Sequence, residues 1–236
     1  MEDLSRPGTI AAGLSAVRQR LARSLERAGR SRSEVRIVAV SKTRPAGDVR
    51  DAAGAGQMEF GENRVQEALE KIARTADMPI RWHLVGHLQS NKARKAASAF
   101  AWIHSIDSAD LLRRVDEAAA DAGCSPVVLV QVDLAGEATK HGTPADGCLP
   151  IFEAASVCRA ASVAGLMVLP PFTEDPEDAR PYFRRLRELR DELAGRGVPA
   201  PMLRELSMGM SHDFDVAVEE GATVIRVGTA IFAARA

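Results

Sequence analysis

The stretch Arg36-Ile37-Val38-Ala39-Val40-Ser41-Lys42 decides how the chain is read. Its apolar centre is short, unbroken and β-branched, the pattern of a strand buried on both faces in a parallel sheet. It ends on Lys42, one of five lysines in a chain with 31 basic residues. A lysine that finishes a buried strand is expected to lose hydration, which disfavours the ammonium form and sharpens the amine as a nucleophile. Schiff-base chemistry needs such an amine. The position also suits a lysine whose stem lies along the strand end while its head reaches water.

Outward from this stretch, short apolar runs alternate with amphipathic ones. Strands are expected near 36–41, 57–60, 81–85, 101–105, 127–133, 163–168, 203–206 and 223–227. Helical patterns lie near 46–55, 63–75, 90–98, 108–122, 144–160, 176–194 and 213–220. Thr143-Pro144 and Asp175-Pro176 each place a capping side chain before a proline, and Asp107-Ser108 caps the helix after strand four. Eight strand-then-helix units in one composition regime predict an α/β protein, a single (β/α)8 TIM-type barrel, with an open doubly wound sheet as the alternative. Ile10, Leu14, Val17, Leu21 and Leu25 fall at helical spacing and add an extra N-terminal helix over about 9–29. With the barrel over about 35–235, residues 1–236 read as one domain. Gly54-Ala55-Gly56 follows a helix and precedes a strand, so it reads as a helix terminator and not as a dinucleotide fingerprint.

A net charge of −1 and a pI near 6.5 give no global case for nucleic acid, and the Arg184 to Arg190 stretch reads as a solvated helix face. No window is long and apolar enough to span a membrane, and the N-terminus lacks the pattern of a secretory signal. Cys124, Cys148 and Cys158 are odd in number and widely spaced. They point to reduced thiols in a cytoplasmic protein.

In a β/α barrel, chemistry sits on the loops that leave the strand C-termini. The unusual residues collect there: Ser41-Lys42-Thr43, Phe60-Gly61-Glu62-Asn63, Trp82-His83 through Asn91-Lys92, Ser207-Met208-Gly209-Met210-Ser211 and Arg226-Val227-Gly228-Thr229. Asn63 and Asn91 are the only asparagines in the chain. The last two loops read as an anion cradle, because barrels bind phosphate after strands seven and eight with backbone amides and hydroxyls. Set across the barrel mouth from Lys42, that cradle points to a phosphorylated ligand carrying a carbonyl. His83 and His87 stand four apart on a strand-to-loop segment, a spacing that does not converge on a metal there.

Ala39 to Thr43, Phe60 to Asn63, Trp82 to Gly86, Leu88 to Lys92, Gly165 to Met167, Leu206 to Ser211 and Arg226 to Phe232 resemble the pyridoxal phosphate homeostasis proteins, single-domain barrels that bind pyridoxal 5'-phosphate (PLP) and are similar to the alanine racemase N-terminal domain. The likeness runs in register over about residues 35–235, with Ala233 where many members carry glycine. It implies that Lys42 forms a Schiff base with the PLP aldehyde, that Ser211, Gly228 and Thr229 hold the phosphate, and that Arg226 faces the pyridine nitrogen. Ser207 and Gly209 would shape the loop, with Asn63, His83 and Met167 lining the site.

The resemblance implies a carrier or regulator in intracellular PLP homeostasis, with PLP-requiring apoenzymes as possible partners. The alternatives are a PLP-dependent racemase-like enzyme and a Schiff-base aldolase-like barrel. Alanine racemases take a catalytic tyrosine from a C-terminal β-domain across a dimer. Here the sequence stops after strand eight, and its one tyrosine, Tyr182, falls in a predicted surface helix. Absence of turnover and a monomer are therefore the expectations.

Overall fold

The computed structural model describes residues 9–136 and 141–232. The proposed barrel limit at 235, Ala233 and the N-terminal segment before Thr9 lie outside the described residues. Eight strands close into a barrel in sequence order, each parallel to its neighbours: β1 (Arg36–Val40), β2 (Glu59–Glu62), β3 (Arg81–Leu84), β4 (Trp102–Ile106), β5 (Val127–Val132), β6 (Ser162–Val168), β7 (Glu205–Met210) and β8 (Val224–Val227). The helices are α1 (Ile10–Arg27), α2 (Ala46–Gly54), α3 (Val65–Arg74), α4 (Ala93–Ala99), α5 (Ala109–Ala122), α6 (Cys148–Ala155), α7 (Arg180–Gly195), α8 (Phe214–Glu219) and α9 (Thr229–Phe232).

Alternation along each strand sorts the side chains into two shells. Ile37, Ala39, Phe60, Leu84, Ile103, Val128, Val130, Leu166, Leu206 and Ile225 face outward and pack under the helices. Inside, Val38, Val85 and Val224 form one small cluster, while Trp102, Leu129, Ala164 and Met167 form another. The remaining interior is polar: His83, His104, Ser207 and Arg226 are all buried. No helix among the described residues is long and apolar enough to cross a membrane.

Helix α1 buries Leu14, Val17, Leu21 and Leu25, four of the five positions its periodicity marks, leaves Ile10 half-buried, and packs on α8, α9 and α2. Two of the three expected caps form. Ser108 Oγ accepts the Leu111 N–H, and the Asp175 carboxylate accepts the Glu177 N–H. Thr143 does not cap. It forms an isolated parallel bridge beside Val132 at the end of β5, while Pro144 takes the cap position without a side-chain bond.

Strand seven differs more. The expected range was 203–206, but Leu203 closes a 3-10 turn (Ala200–Leu203) and the strand runs from Glu205 to Met210. Ser207, Met208 and Gly209 are therefore strand residues, not loop residues. Gly209 has φ of 91° and the β7–β8 register shifts between Ser207 and Met210, so the strand carries an irregularity at a glycine. Barrel closure corrects a second expectation. β1 pairs directly with β8, so Lys42 and the loop after β8 lie side by side and not on opposite rims.

An amine and an anion cradle at the barrel mouth

Ser41 carries β1 one hydrogen bond further, its N–H donating to Gly61 O at 2.9 Å, and Lys42 follows. Lys42 is exposed, because it lies beyond the last paired residue. The expected dehydration of this amine is not met. Among the described residues the buried lysine is Lys71 on α3, which donates to Ser41 O (2.6 Å), Glu62 Oε1 (2.6 Å) and Glu67 Oε1 (2.8 Å). Ser41 Oγ donates to the same Glu62 oxygen at 2.6 Å, and the Thr43 N–H donates to Glu67 Oε1 at 2.6 Å. Burial pushes the Glu62 carboxyl above its ordinary range, against the pull of Lys71 and Ser41. The residues on both sides of Lys42 are thus clamped while its own side chain is left to solvent. Thr43 pays for this with φ of 63°, a left-handed backbone that a β-branched residue rarely adopts.

Beside this clamp, the ends of β7 and β8 meet at one oxygen. Ser211 Oγ accepts the Gly228 N–H at 3.1 Å and the Ala230 N–H at 3.3 Å. Thr229 opens α9 between those amides and is exposed. At Gly228 a Cβ would stand 3.3 Å from Val40 O, which puts this turn against the end of β1, two residues short of Lys42. Gly209 permits the approach of α8, since a Cβ there would meet the Ala217 methyl at 2.6 Å. Arg20 on α1 fixes the turn from outside by donating to Ser211 O (2.8 Å) and His212 O (3.0 Å) and pairing with Asp215.

Arg226 lies below the mouth, 3% exposed. Its Nη1 donates to Ser207 Oγ at 2.6 Å and its Nη2 reaches past β7 to the last carbonyl of β6, Val168 O, at 2.8 Å. Burial pulls its guanidinium down to about 10, with Asp213 opposing. Met167 is fully buried in the interior beside Trp102 and Leu129. Asn63 is half-buried at the end of β2, its carbonyl so close to Gly86 that a Cβ there would lie 2.3 Å away.

His83 is not at the mouth. It is fully buried, with Nε2 2.7 Å from Glu59 Oε2 and Nδ1 2.9 Å from His104 Nε2. Its ring stacks on Trp102 at 5.5 Å between centroids. Glu59, His104, Lys71 and Arg20 went unread in the sequence. A signal for His104 existed, since it stands two residues from Trp102 and shares its inward face. The donor set suits a phosphorylated carbonyl ligand: amides and a hydroxyl gather at one point, a buried cation lies beneath, and an accessible amine stands one strand away. Among the described residues, no group of three His, Cys, Asp or Glu side chains is placed to hold a metal.

The chain matches a family described as alanine racemase, N-terminal domain, over residues 13–236. It is 42% identical to the pyridoxal phosphate homeostasis protein of Aquifex aeolicus, covering 94% of this chain and 96% of that protein. The structure is similar to that of PipY from Synechococcus elongatus with PLP bound, at a TM-score of 0.84 and 41% identity, covering 95% of this chain and all of the other. Alanine racemase of Clostridium difficile shares the fold, with a TM-score of 0.73 at 13% identity over 94% of this chain and 57% of the racemase. Barrel, residues and relatives agree: the chain belongs to the pyridoxal phosphate homeostasis protein family, built on the alanine racemase N-terminal fold.

Proposed function

We propose that this protein binds PLP at the barrel mouth, joined to Lys42 as a Schiff base, and keeps the reactive aldehyde sequestered and deliverable as a carrier or regulator. The observation that carries the reading is the Ser211–Gly228–Ala230 cradle set one strand from an exposed lysine. The cofactor supplies an aldehyde, which condenses with the Lys42 amine with loss of one water. The chain supplies the rest. Ser211, Gly228 and Thr229 present amides and hydroxyls to the phosphate, and Asn63 and Met167 bound the space between strands. Gly209 lets β7 bend, and Ser207 anchors Arg226. A cation facing the ring nitrogen disfavours its protonation and weakens the electron sink that amino-acid chemistry exploits. Tyr182 lies half-buried on α7, in the outer helical layer, which favours holding over racemising.

Purified protein is expected to be yellow, to bleach with borohydride and to yield one reduced pyridoxyl peptide containing Lys42. Lys42→Ala should lose the covalent link yet retain PLP through the phosphate. Colourless protein that instead traps a sugar phosphate on borohydride would support an aldolase. Exchange of the alanine α-proton at enzymatic rates in deuterated water would support a racemase. Light scattering checks the expected monomer, and transfer of PLP to a PLP-requiring apoenzyme checks the carrier role.

A further inference from the structure

Five polar side chains are bonded in a row through the barrel interior. Glu59 Oε2 lies 2.7 Å from His83 Nε2, and His83 Nδ1 lies 2.9 Å from His104 Nε2. His104 Nδ1 lies 2.9 Å from Ser207 Oγ, which accepts from Arg226 Nη1 at 2.6 Å. The row starts on β2, crosses β3 and β4, spans the interior to β7 and ends on β8. Only its last link enters the proposed cofactor site.

Donor chemistry fixes every proton in it. A carboxylate only accepts and a guanidinium only donates. His83 must therefore carry its proton on Nε2, which leaves Nδ1 as an acceptor in the neutral ring. His104 must then donate from Nε2, which leaves its Nδ1 to accept. The Ser207 hydroxyl turns its proton to that nitrogen, and its lone pairs face Arg226. Both ends demand the same direction. Reversing a link would set two lone pairs against each other, or require a protonated Glu59 or an imidazolium. Against its burial, the His83 hydrogen bond, with Arg81 and Arg36 alongside, holds the Glu59 carboxyl below its ordinary range. Burial and the nearby arginines oppose a positive charge on either ring. No proton can pass to the mouth by this route, because the last member cannot accept one.

We propose that His104, with His83 and Glu59 behind it, is a positioning residue for Arg226. The hydrogen-bond chain has fixed polarity, keeps Ser207 as an acceptor, and so pins the guanidinium between Ser207 Oγ and Val168 O beneath the mouth. The inference rests on the reading that Arg226 faces the bound cofactor. It gives His83, which the sequence suggested as a lining residue, a role one layer back.

Long-range proton–nitrogen NMR of the ligand-free protein tests the polarity directly: both His83 and His104 are expected as neutral Nε2–H tautomers. An Nδ1–H tautomer or an imidazolium at either ring overturns the proposal. His104→Phe removes the acceptor of the Ser207 proton. It should weaken PLP binding about tenfold, the equivalent of one charged hydrogen bond, and shift the visible absorption of the bound cofactor. A folded His104→Phe protein with unchanged affinity and spectrum also overturns the proposal. Should Arg226→Met bind PLP as the wild type does, the reading of Arg226 as a cofactor contact fails instead, and the tautomers alone decide whether the fixed polarity stands.

Discussion

Thr43 shows at the scale of one residue how the structure presents Lys42. Its φ of 63° puts a β-branched Cβ against its own backbone, a cost of about 1–2 kcal/mol that glycine avoids. Its side chain is exposed, so Thr43→Gly should raise the unfolding free energy by about 1 kcal/mol in urea titration, while loosening the backbone beside Lys42. A loss of stability would mean that the threonine side chain, and not the Glu67–Lys71 clamp, sets the turn. The clamp makes the opposite prediction. Lys71→Met leaves the buried Glu62 carboxyl without its cation and should cost about 3 kcal/mol, and adding Glu62→Gln should recover most of it. The same denaturation experiment, run on single and double variants, checks this. Lys42, Ser211, Gly228 and Arg226 stand out in the sequence because each belongs to a short motif at a strand end. Glu67 and Lys71 do not. Four apart on one helix, they carry no mark of burial in the sequence, and only the packing of α3 on β2 shows that Lys71 is dry.

Element boundaries follow the hydrophobic period closely except at β2, which runs Glu59–Glu62 and not 57–60, at α6, which covers only Cys148–Ala155 of the expected 144–160, and at β7. There the Ser-Met-Gly-Met-Ser run has the composition of a loop, and a glycine irregularity lets it stay in the sheet while turning a side chain inward. That misreading placed Ser207 on the mouth, whereas the strand holds it inside against His104. The same scale explains α1, whose periodicity fixed its buried face but not its task. Gly13 brings it onto α9 so closely that a Cβ would stand 2.5 Å from Ile231 O, and Arg20 holds the Ser211 turn. Helix propensity alone favours Gly13→Ala by about 1 kcal/mol. Backbone contact should reverse that sign, destabilising the protein by about 1–3 kcal/mol and loosening the Gly228-Thr229 turn. Thermal unfolding together with a PLP titration of Gly13→Ala reads both effects. A more stable variant with full affinity would show that α1 is only packed against the cradle and does not brace it.

For the whole molecule, eight strand–helix units predicted the closed barrel, since burial on both faces writes itself into continuous apolar strands. The polar interior was hidden for the opposite reason. Its members sit singly on five strands, and nothing local marks Glu59, His83, His104, Ser207 and Arg226 as neighbours. Their burial has a consequence for the entire fold. Both histidines are held below the ordinary imidazole range, His104 well below it: burial lowers each, His83 and then Arg226 add to the effect on His104, and Arg36 acts on both with Arg81 on His83. The negative charge of Glu59 opposes it at His83, but does not win. In the unfolded chain the same rings take up protons near the ordinary histidine value of about 6.5. Below that pH the unfolded state binds more protons than the folded one, so stability present above it is lost as the pH falls. Glu59, whose carboxyl is held below its ordinary range, adds a second loss at lower pH. The melting temperature at constant ionic strength should therefore fall between about pH 7 and pH 5, each kcal/mol lost lowering it by about 2–4 °C in a chain of this size. His104→Phe removes one of the two rings and should flatten the slope over that range, even though its melting temperature near neutrality is lower. A wild-type profile that is level or rises toward acid would mean that the interior rings are already charged in the folded protein, and the directional row of hydrogen bonds could not then exist.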